Sequence, residues 1–464
     1  MSHNLVSDGY SKWRVWKISI LILILLTAYN VFLTIKLMTT TTDCPESQEN
    51  ILDSIKFRQP ECGEDQQPDQ DPFEPDEPRI GSEHQDQLVE KYQLNLNLKL
   101  GRSDNRIAYT LFDHVIVGDK FVQLSDTFRT CLATQSSLDK IVSLVESSLH
   151  WAGPISLAVF AGSEKELNHI LLFILYLRKC NSRIKDKVSF HIAILKGNGP
   201  KRFSIDEERL GRLSCMNPMA NMHQLMMEIN NNRMMGPWRH KLPYPQNLLR
   251  NLARKNCHTK YIFLTDVDVI PVKGMAEGLN EFLAEDKCRG KCAYVVPTYE
   301  VDERVLFPEN KTELIRMASK GLARPFHHKV FIYNQYATNF SRWQNFKDPD
   351  RTIRVSHPVT NFEFLYEPFY IATDDVPPHD ERFVGYGYTR NTQVYEMFVS
   401  GYEFQVLSPI FSCHWGLQVK KNRPPWREHQ NNQNRKLFDQ FKKEIFAKYN
   451  KDPLHMMVSK NNKN

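Results

Sequence analysis

Asp266 and Asp268 stand two residues apart in Thr265-Asp-Val-Asp-Val-Ile-Pro271, directly after the apolar run Tyr261 to Leu264. Such a run reads as a strand buried on both faces. In an extended segment residues i and i+2 point the same way. Both carboxylates could then reach one point, while Val267 and Val269 face the core and Pro271 ends the strand. Oxygen ligands suit Mg2+ or Mn2+, and such ions usually also bind a substrate phosphate. Two aspartates at this spacing also serve as plain turn formers. The preceding strand favours a ligand site, because open α/β sheets bind ligands at the C-terminal ends of their strands.

Two further groups could join them. His414, in Cys413-His-Trp-Gly416, follows a strand and could present an imidazole nitrogen to the same ion. A packed structural histidine is the plainer alternative. Asp380 and Glu381, in Asp380-Glu-Arg-Phe-Val-Gly-Tyr-Gly387, offer a carboxylate able to take a proton from an attacking hydroxyl. The same acids could equally form a surface ion pair with Arg382.

The elements that must position these groups read as α/β. Pro154 to Phe160 is a buried strand. Ser163-Glu-Lys-Glu166 is a capping box opening a helix to about Cys180. A second strand runs from Val188 to Leu195, which completes a βαβ crossover and demands a parallel sheet. Pro245 to Lys255 is a helix feeding the acidic strand. Its apolar stripe is Leu248, Leu249, Leu252 and Ala253. Asn247, Arg250, Asn251 and Arg254 occupy its other side, ordinarily a solvated face, with Arg250 and Asn251 as the exceptions to it. Leu94, Leu96, Leu98 and Leu100 alternate with polar residues as in a half-exposed strand. A charged helix from Arg427 to Tyr449, with Leu437, Phe438, Phe441, Ile445 and Phe446 as its stripe, should pack on the domain without binding anything.

The chain has 464 residues, 41% of them hydrophobic and 25% charged, which is ordinary globular composition. A net charge of +6 without a dense basic block gives no reason to expect nucleic acid. No Gly-rich Walker or dinucleotide loop is present, which argues against an NTPase or a nicotinamide enzyme. Nine cysteines lack the paired spacing of a zinc site. Cys288 and Cys292 could close a small loop. Ile18 to Met38 is an apolar stretch near the roughly 20 residues a membrane helix needs. Lys12, Arg14 and Lys17 precede it, which keeps residues 1–17 cytosolic and sends the rest into the lumen. Residues 39–90, rich in Gln, Asp, Glu and Pro, read as a disordered stem, and its Cys44 and Cys62 could link two chains as a homodimer. The sequons at Asn310 and Asn339 are glycosylation sites in such a lumen. Residues 91–464 would be the catalytic domain.

Together, Asn247-Leu-Leu-Arg-Asn-Leu-Ala253, Thr265 to Pro271, Asp380 to Gly387 and Cys413 to Gly416 resemble glycosyltransferase family 49. The resemblance covers the chain from about Pro154 onward. It implies a GT-A fold, with a Rossmann-like nucleotide half joined to an acceptor half. It implies Mn2+ (or Mg2+) and the UDP diphosphate held by Asp266 and Asp268, with His414 as a further ligand. It implies an inverting transfer of glucuronate from UDP-glucuronate to a xylose-terminated O-mannosyl glycan of the dystroglycan type. Asp380 would be the base and Glu381 its substitute, while Arg250, Asn251 and Asp266 would meet the donor. The anchor and stem resemble those of type II Golgi membrane glycosyltransferases. Thr389 stands where the family often has Asn, and Trp415 follows the histidine. These departures leave transfer of N-acetylglucosamine or xylose, or a catalytically silent glycan-binding relative, as alternatives.

Overall fold

The computed structural model describes residues 80–104, 106, 108–196, 200–231, 243–285, 288, 290–419 and 425–457, together with Thr27 and Tyr29, both helical. Apart from those two, the expected tail, the span 18–38 and the stem up to residue 79 lie outside the described residues. Among the described residues no helix is long and apolar enough to cross a membrane. The other described residues belong to a compact unit, Asp76–Asn464. The boundary expected at residue 90 falls inside helix α1, Ile80–Tyr92, whose Leu88 joins Leu94 and Leu96 in the core.

Fourteen strands occur among the described residues. In chain order they are β1 (Arg102–Ser103), β2 (Tyr109–Ile116), β3 (Thr130–Ser136), β4 (Ile155–Ala161), β5 (Val188–Leu195), β6 (Tyr261–Leu264) and β7 (Val269–Pro271). They continue as β8 (Cys292–Val296), β9 (Thr298–Val301), β10 (Ala323–Pro325), β11 (Arg354–Pro358), β12 (Phe369–Thr373), β13 (Glu403–Ser408) and β14 (Ser412–Trp415). The fold is mixed α/β. Ten strands form one sheet in the order β1-β2-β5-β4-β3-β6-β12-β8-β13-β11, and a smaller sheet runs β10-β9-β14-β7. The block β5-β4-β3-β6 is parallel, as the crossover demands. Helix α2 (Glu164–Cys180) makes that crossover. The Ser163 side chain caps it by accepting from the Glu166 amide, and Glu166 accepts in turn from the Gly162 amide.

The leucine alternation at residues 94–100 is not a sheet strand. Leu94 and Leu96 are buried, but Leu100 is 80% exposed, and the Asn95 amide bonds only singly to Val115 of β2. The buried leucines are held by side-chain packing instead of a ladder.

Helix α3 (Gln246–Lys255) carries the largest correction. Its apolar stripe rests on Ala133, Ala158 and Ala193, whose small side chains let it approach the parallel block. Each buried leucine there contributes roughly 1.5–3 kcal/mol. The opposite face is not solvated. Asn247, Arg250, Asn251 and Arg254 are all buried. Asn247, Asn251 and Arg254 dock the backbone of residues 376–380, while Arg250 turns to Asn247 and Asp266. Asn247 donates to the Asp380 carbonyl, Asn251 exchanges two bonds with His379, and Arg254 donates to the carbonyls of Val376 and Pro377. A disulfide from Cys131 in β3 to Cys257 just past α3 pins the helix to the sheet. Cys180–Cys215 and the expected Cys288–Cys292 are the other two disulfides among the described residues, and Cys413 is free and buried.

Two later helices complete what the site needs, α4 (Asn391–Val399) and α5 (Pro425–Tyr449). Phe438, Phe441 and Ile445 bury the stripe of α5 against Phe383 and Tyr395, while Phe446 stays partly exposed.

Candidate active site

Asp266 and Asp268 lie where the chain leaves the large sheet after β6 and enters the small one at β7. The expected continuous strand is instead a turn, closed by the Val269 amide donating to the Asp266 carbonyl at 2.9 Å. Val267 and Val269 are buried, as expected. The turn sends the two carboxylates different ways.

Asp266 faces arginines. Its Oδ1 accepts from Arg250 at 3.2 Å and its Oδ2 from Arg390 at 2.6 Å. Both arginines are buried, at 4% and 9% exposure. Gln135 at the end of β3 adds a third bond at 3.2 Å, and Tyr244 donates to the other end of that amide. Arg390 also lies 3.9 Å from the centre of the Phe369 ring. Burial would raise the Asp266 carboxyl, but the Arg390 and Arg250 guanidiniums outweigh it and hold the group well below the usual carboxylate range.

Asp268 faces the imidazole. His414 Nε2 is 3.7 Å from its Oδ2, and Lys140 Nζ is 3.3 Å away. The pairing of β14 with β7, which sets His414 opposite Val269, makes this contact. Burial works against ionisation of Asp268, yet His414 and Lys140 bring its pKa below the ordinary value.

The two acids open onto a cavity of about 550 Å3, whose lining includes Arg250, Arg390, His414, His327, Glu367 and Tyr386. The Gly385-Tyr-Gly387 segment forms one wall. Gly385 and Gly387 have φ of +71° and +87°, and a Cβ on either would run into Gln430 or Asn431 of α5. Asn434 of α5 donates to three carbonyls of this segment, those of Val384, Tyr386 and Gly387. Helix α5 therefore does more than pack: its Arg427 and Asn431 line the cavity.

Asp380 and Glu381 do not line it. The Asp380 carboxylate accepts from Arg382, with 2.6 Å to its terminal nitrogen, and Arg382 also reaches Glu444 of α5 at 2.5 Å. Glu381 is bound by Asn251 at 2.9 Å. The ion-pair alternative describes how the Asp380 carboxylate sits in this structure. Asn251 likewise faces the 376–381 loop and not the cavity. Asn310 and Asn339 are exposed helix caps, accepting from the amides of Glu313 and Arg342.

Sequence reasoning missed Glu367, His327 and the buried Glu300 that accepts from the His327 amide. None sits in a recognisable motif. The one available hint was the aromatic run around Glu367, Phe364 to Tyr370, too rich in rings for an ordinary loop.

A divalent ion fits only part of the expected set. The 3.7 Å between Asp268 and His414 is shorter than two metal–ligand bonds of about 2.1 Å each, so one ion can touch both. His414 Nδ1 lies 3.3 Å from the Gly416 carbonyl, which leaves Nε2 free to coordinate. Asp266 is turned to its arginines. Among the described residues no three His, Cys, Asp or Glu side chains form a ligand group.

A family model described as "Glycosyl-transferase for dystroglycan" matches residues 129–450. Beta-1,4-glucuronyltransferase 1 of Homo sapiens is 31% identical over 325 residues, which are 69% of this chain and 76% of that protein. Its Bos taurus counterpart is 32% identical over 70% of this chain and 77% of that protein. Xylosyl- and glucuronyltransferase LARGE1 of Homo sapiens is 28% identical, over 62% of this chain but 31% of that longer protein. The protein is a glycosyltransferase of the hexosyl-transferring kind. More particularly, the chain belongs to glycosyltransferase family 49.

Proposed function

We propose that this enzyme transfers glucuronate from UDP-glucuronate to a xylose-terminated glycan of the dystroglycan type, with inversion at the anomeric carbon. The observation that carries the reading is the join of the two sheets. There Asp268 and His414, 3.7 Å apart, line the same cavity as Arg250 and Arg390. Asp268 and His414 would hold Mn2+ or Mg2+, with diphosphate oxygens completing the shell. Such an ion, when bound, neutralises charge on the departing diphosphate. Arg250, Arg390 and Arg427 line the cavity, and guanidiniums suit an anionic donor. Relatives named as glucuronyltransferases support the choice of sugar.

The supporting architecture is GT-A in kind, with the parallel block as the nucleotide half and the small sheet as the acceptor half. Three disulfides suit an oxidising compartment. They support a lumenal, Golgi-type location behind an anchor at residues 18–38.

A screen of UDP-sugars against a β-xyloside acceptor, with and without EDTA, tests the proposal. Glucuronate transfer that stops in EDTA and returns with Mn2+ is the expected result. A preference for UDP-xylose or UDP-N-acetylglucosamine would overturn the donor assignment. Full activity in EDTA would overturn the metal assignment.

A further inference from the structure

The inverting transfer just proposed needs a proton acceptor, and the residue expected for that task is tied up outside the cavity. Three carboxylates are among the residues that line it: Asp266, Asp268 and Glu367. The first is clamped by two arginines and the second faces His414 and Lys140. We propose that Glu367 is the general base that deprotonates the acceptor hydroxyl. The assignment rests on the transferase reading above.

Geometry places Glu367 for this role. It sits just before β12, which runs antiparallel to β6 with Tyr370 opposite Leu264. The residues before β12 therefore lie beside those that follow β6, where Asp266 is. Its main chain is fixed at both ends. The Glu367 amide donates to the Asn334 carbonyl at 2.8 Å, and its own carbonyl accepts from Gln335 at 2.8 Å. The side chain is left nearly unengaged. Among the described residues its one hydrogen bond is a long one, 3.4 Å from Asn334 Nδ2.

The support behind it is rigid. Asn334 Nδ2 also meets His327 Nδ1 at 2.6 Å, and the His327 amide donates to Glu300. Glu300 is wholly buried and paired with Arg324 at 2.8 Å. His327 itself is the weaker candidate. Its Nδ1 is taken up by Asn334, and burial pushes its pKa down to about 4.

The electrostatics agree with the geometry. Arg390, Arg250 and Asp266 are the charged groups that act on Glu367. Burial raises its carboxyl above the ordinary glutamate value, although both arginines pull the other way. A carboxylate whose pKa is raised is the stronger base toward an incoming hydroxyl proton.

The step balances as follows. The acceptor oxygen forms a bond to the anomeric carbon, on the face opposite the nucleotide, as its proton passes to a Glu367 oxygen. The bond from that carbon to the β-phosphate oxygen breaks, and its electron pair leaves with UDP. The charge that builds on the sugar ring is oxocarbenium-like. Glu367 later releases the proton to water.

The test compares wild type, Glu367→Gln and Glu367→Asp in the intact enzyme, with UDP and Mn2+ binding followed by calorimetry. The Gln variant should lose about 10²–10⁴-fold in kcat and bind UDP as wild type does. Its kcat/KM should lose the fall at low pH that wild type shows as Glu367 takes up a proton. The Asp variant keeps the charge, and should keep that fall at a reduced rate. A Gln variant with the wild-type rate or the wild-type acid limb overturns the base assignment and leaves the transferase reading standing. A wild-type enzyme that transfers from no UDP-sugar overturns the transferase reading, and the base with it.

Discussion

Asp266 and Asp380 are each met by arginine, one in the cavity wall and the other at the outer edge of helix α5. Asp266 accepts from two guanidiniums that are almost wholly withdrawn from water. Asp380 accepts from Arg382, which is 37% exposed at its side chain and is shared with Glu444. The chemistry is the same and the surroundings are not. A buried ion cluster is hard to dismantle one member at a time, because the remaining charges stay desolvated. A half-exposed pair is screened, and its loss costs little. Burial of the arginines, and not of the acids, separates the two cases: the Asp266 side chain is 27% exposed and that of Asp380 16%.

Four substitutions would break or sharpen that contrast. Asp266→Asn should be the most damaging, because Arg250 and Arg390 would then face each other unpaired. Removing one partner of a buried pair costs roughly 3–5 kcal/mol. Asp266 is 27% exposed at its side chain, so the low end, about 3 kcal/mol, is expected in urea unfolding. Transfer should be lost as well. The pH dependence has a definite sign. A carboxyl held low in the folded state stabilises above its unfolded value, near pH 3.8, and that stability is lost as pH falls through its folded pKa. Wild type should therefore weaken below about pH 4, and Asp266→Asn should show less of that acid sensitivity.

Asp268→Asn separates chemistry from stability. It should abolish metal-dependent transfer, read as loss of Mn2+-supported UDP binding. Its half-exposed partner Lys140 implies a stability change under about 1 kcal/mol. A large loss of stability there would erase the distinction between the two acids. Asn434→Ala should cost about 1–3 kcal/mol, because three loop carbonyls lose their donor. Its activity loss should be mainly in KM, measured by steady-state kinetics. Asp380→Asn should do least, under about 1 kcal/mol with a near-wild-type kcat. A collapse of kcat in that variant would return Asp380 to the chemistry and displace Glu367.

Much of the fold could be read from the residues. The crossover of β4, α2 and β5 was visible because apolar runs of strand length flank a capped helix with its own period. Asp266, Asp268 and His414 were legible because the acids follow a buried strand and the histidine precedes a glycine. What they would face was not. The spacing of the acids suggested one shared target, but a turn at Val267 parted them. The polar face of α3 looked like solvent-facing helix because no local pattern records which distant backbone comes to lie on it. Glu367 carried no signal for the same reason. Its neighbours Asn334, Arg250 and Arg390 come from three separate parts of the chain. Leu94 to Leu100 failed differently, since alternation marks sidedness and cannot say whether a pairing strand exists.

Helix α5 supplies Asn434, the side chain that ties down the loop between Val384 and Gly387. Both sheets are complete in sequence once Trp415 has been made. A nascent chain thus finishes its scaffold well before it can close its pocket. Until residues 425–449 leave the ribosome, the arginines and acids have walls on fewer sides. Closure of the pocket therefore follows the scaffold, because it waits for the helix at residues 425–449.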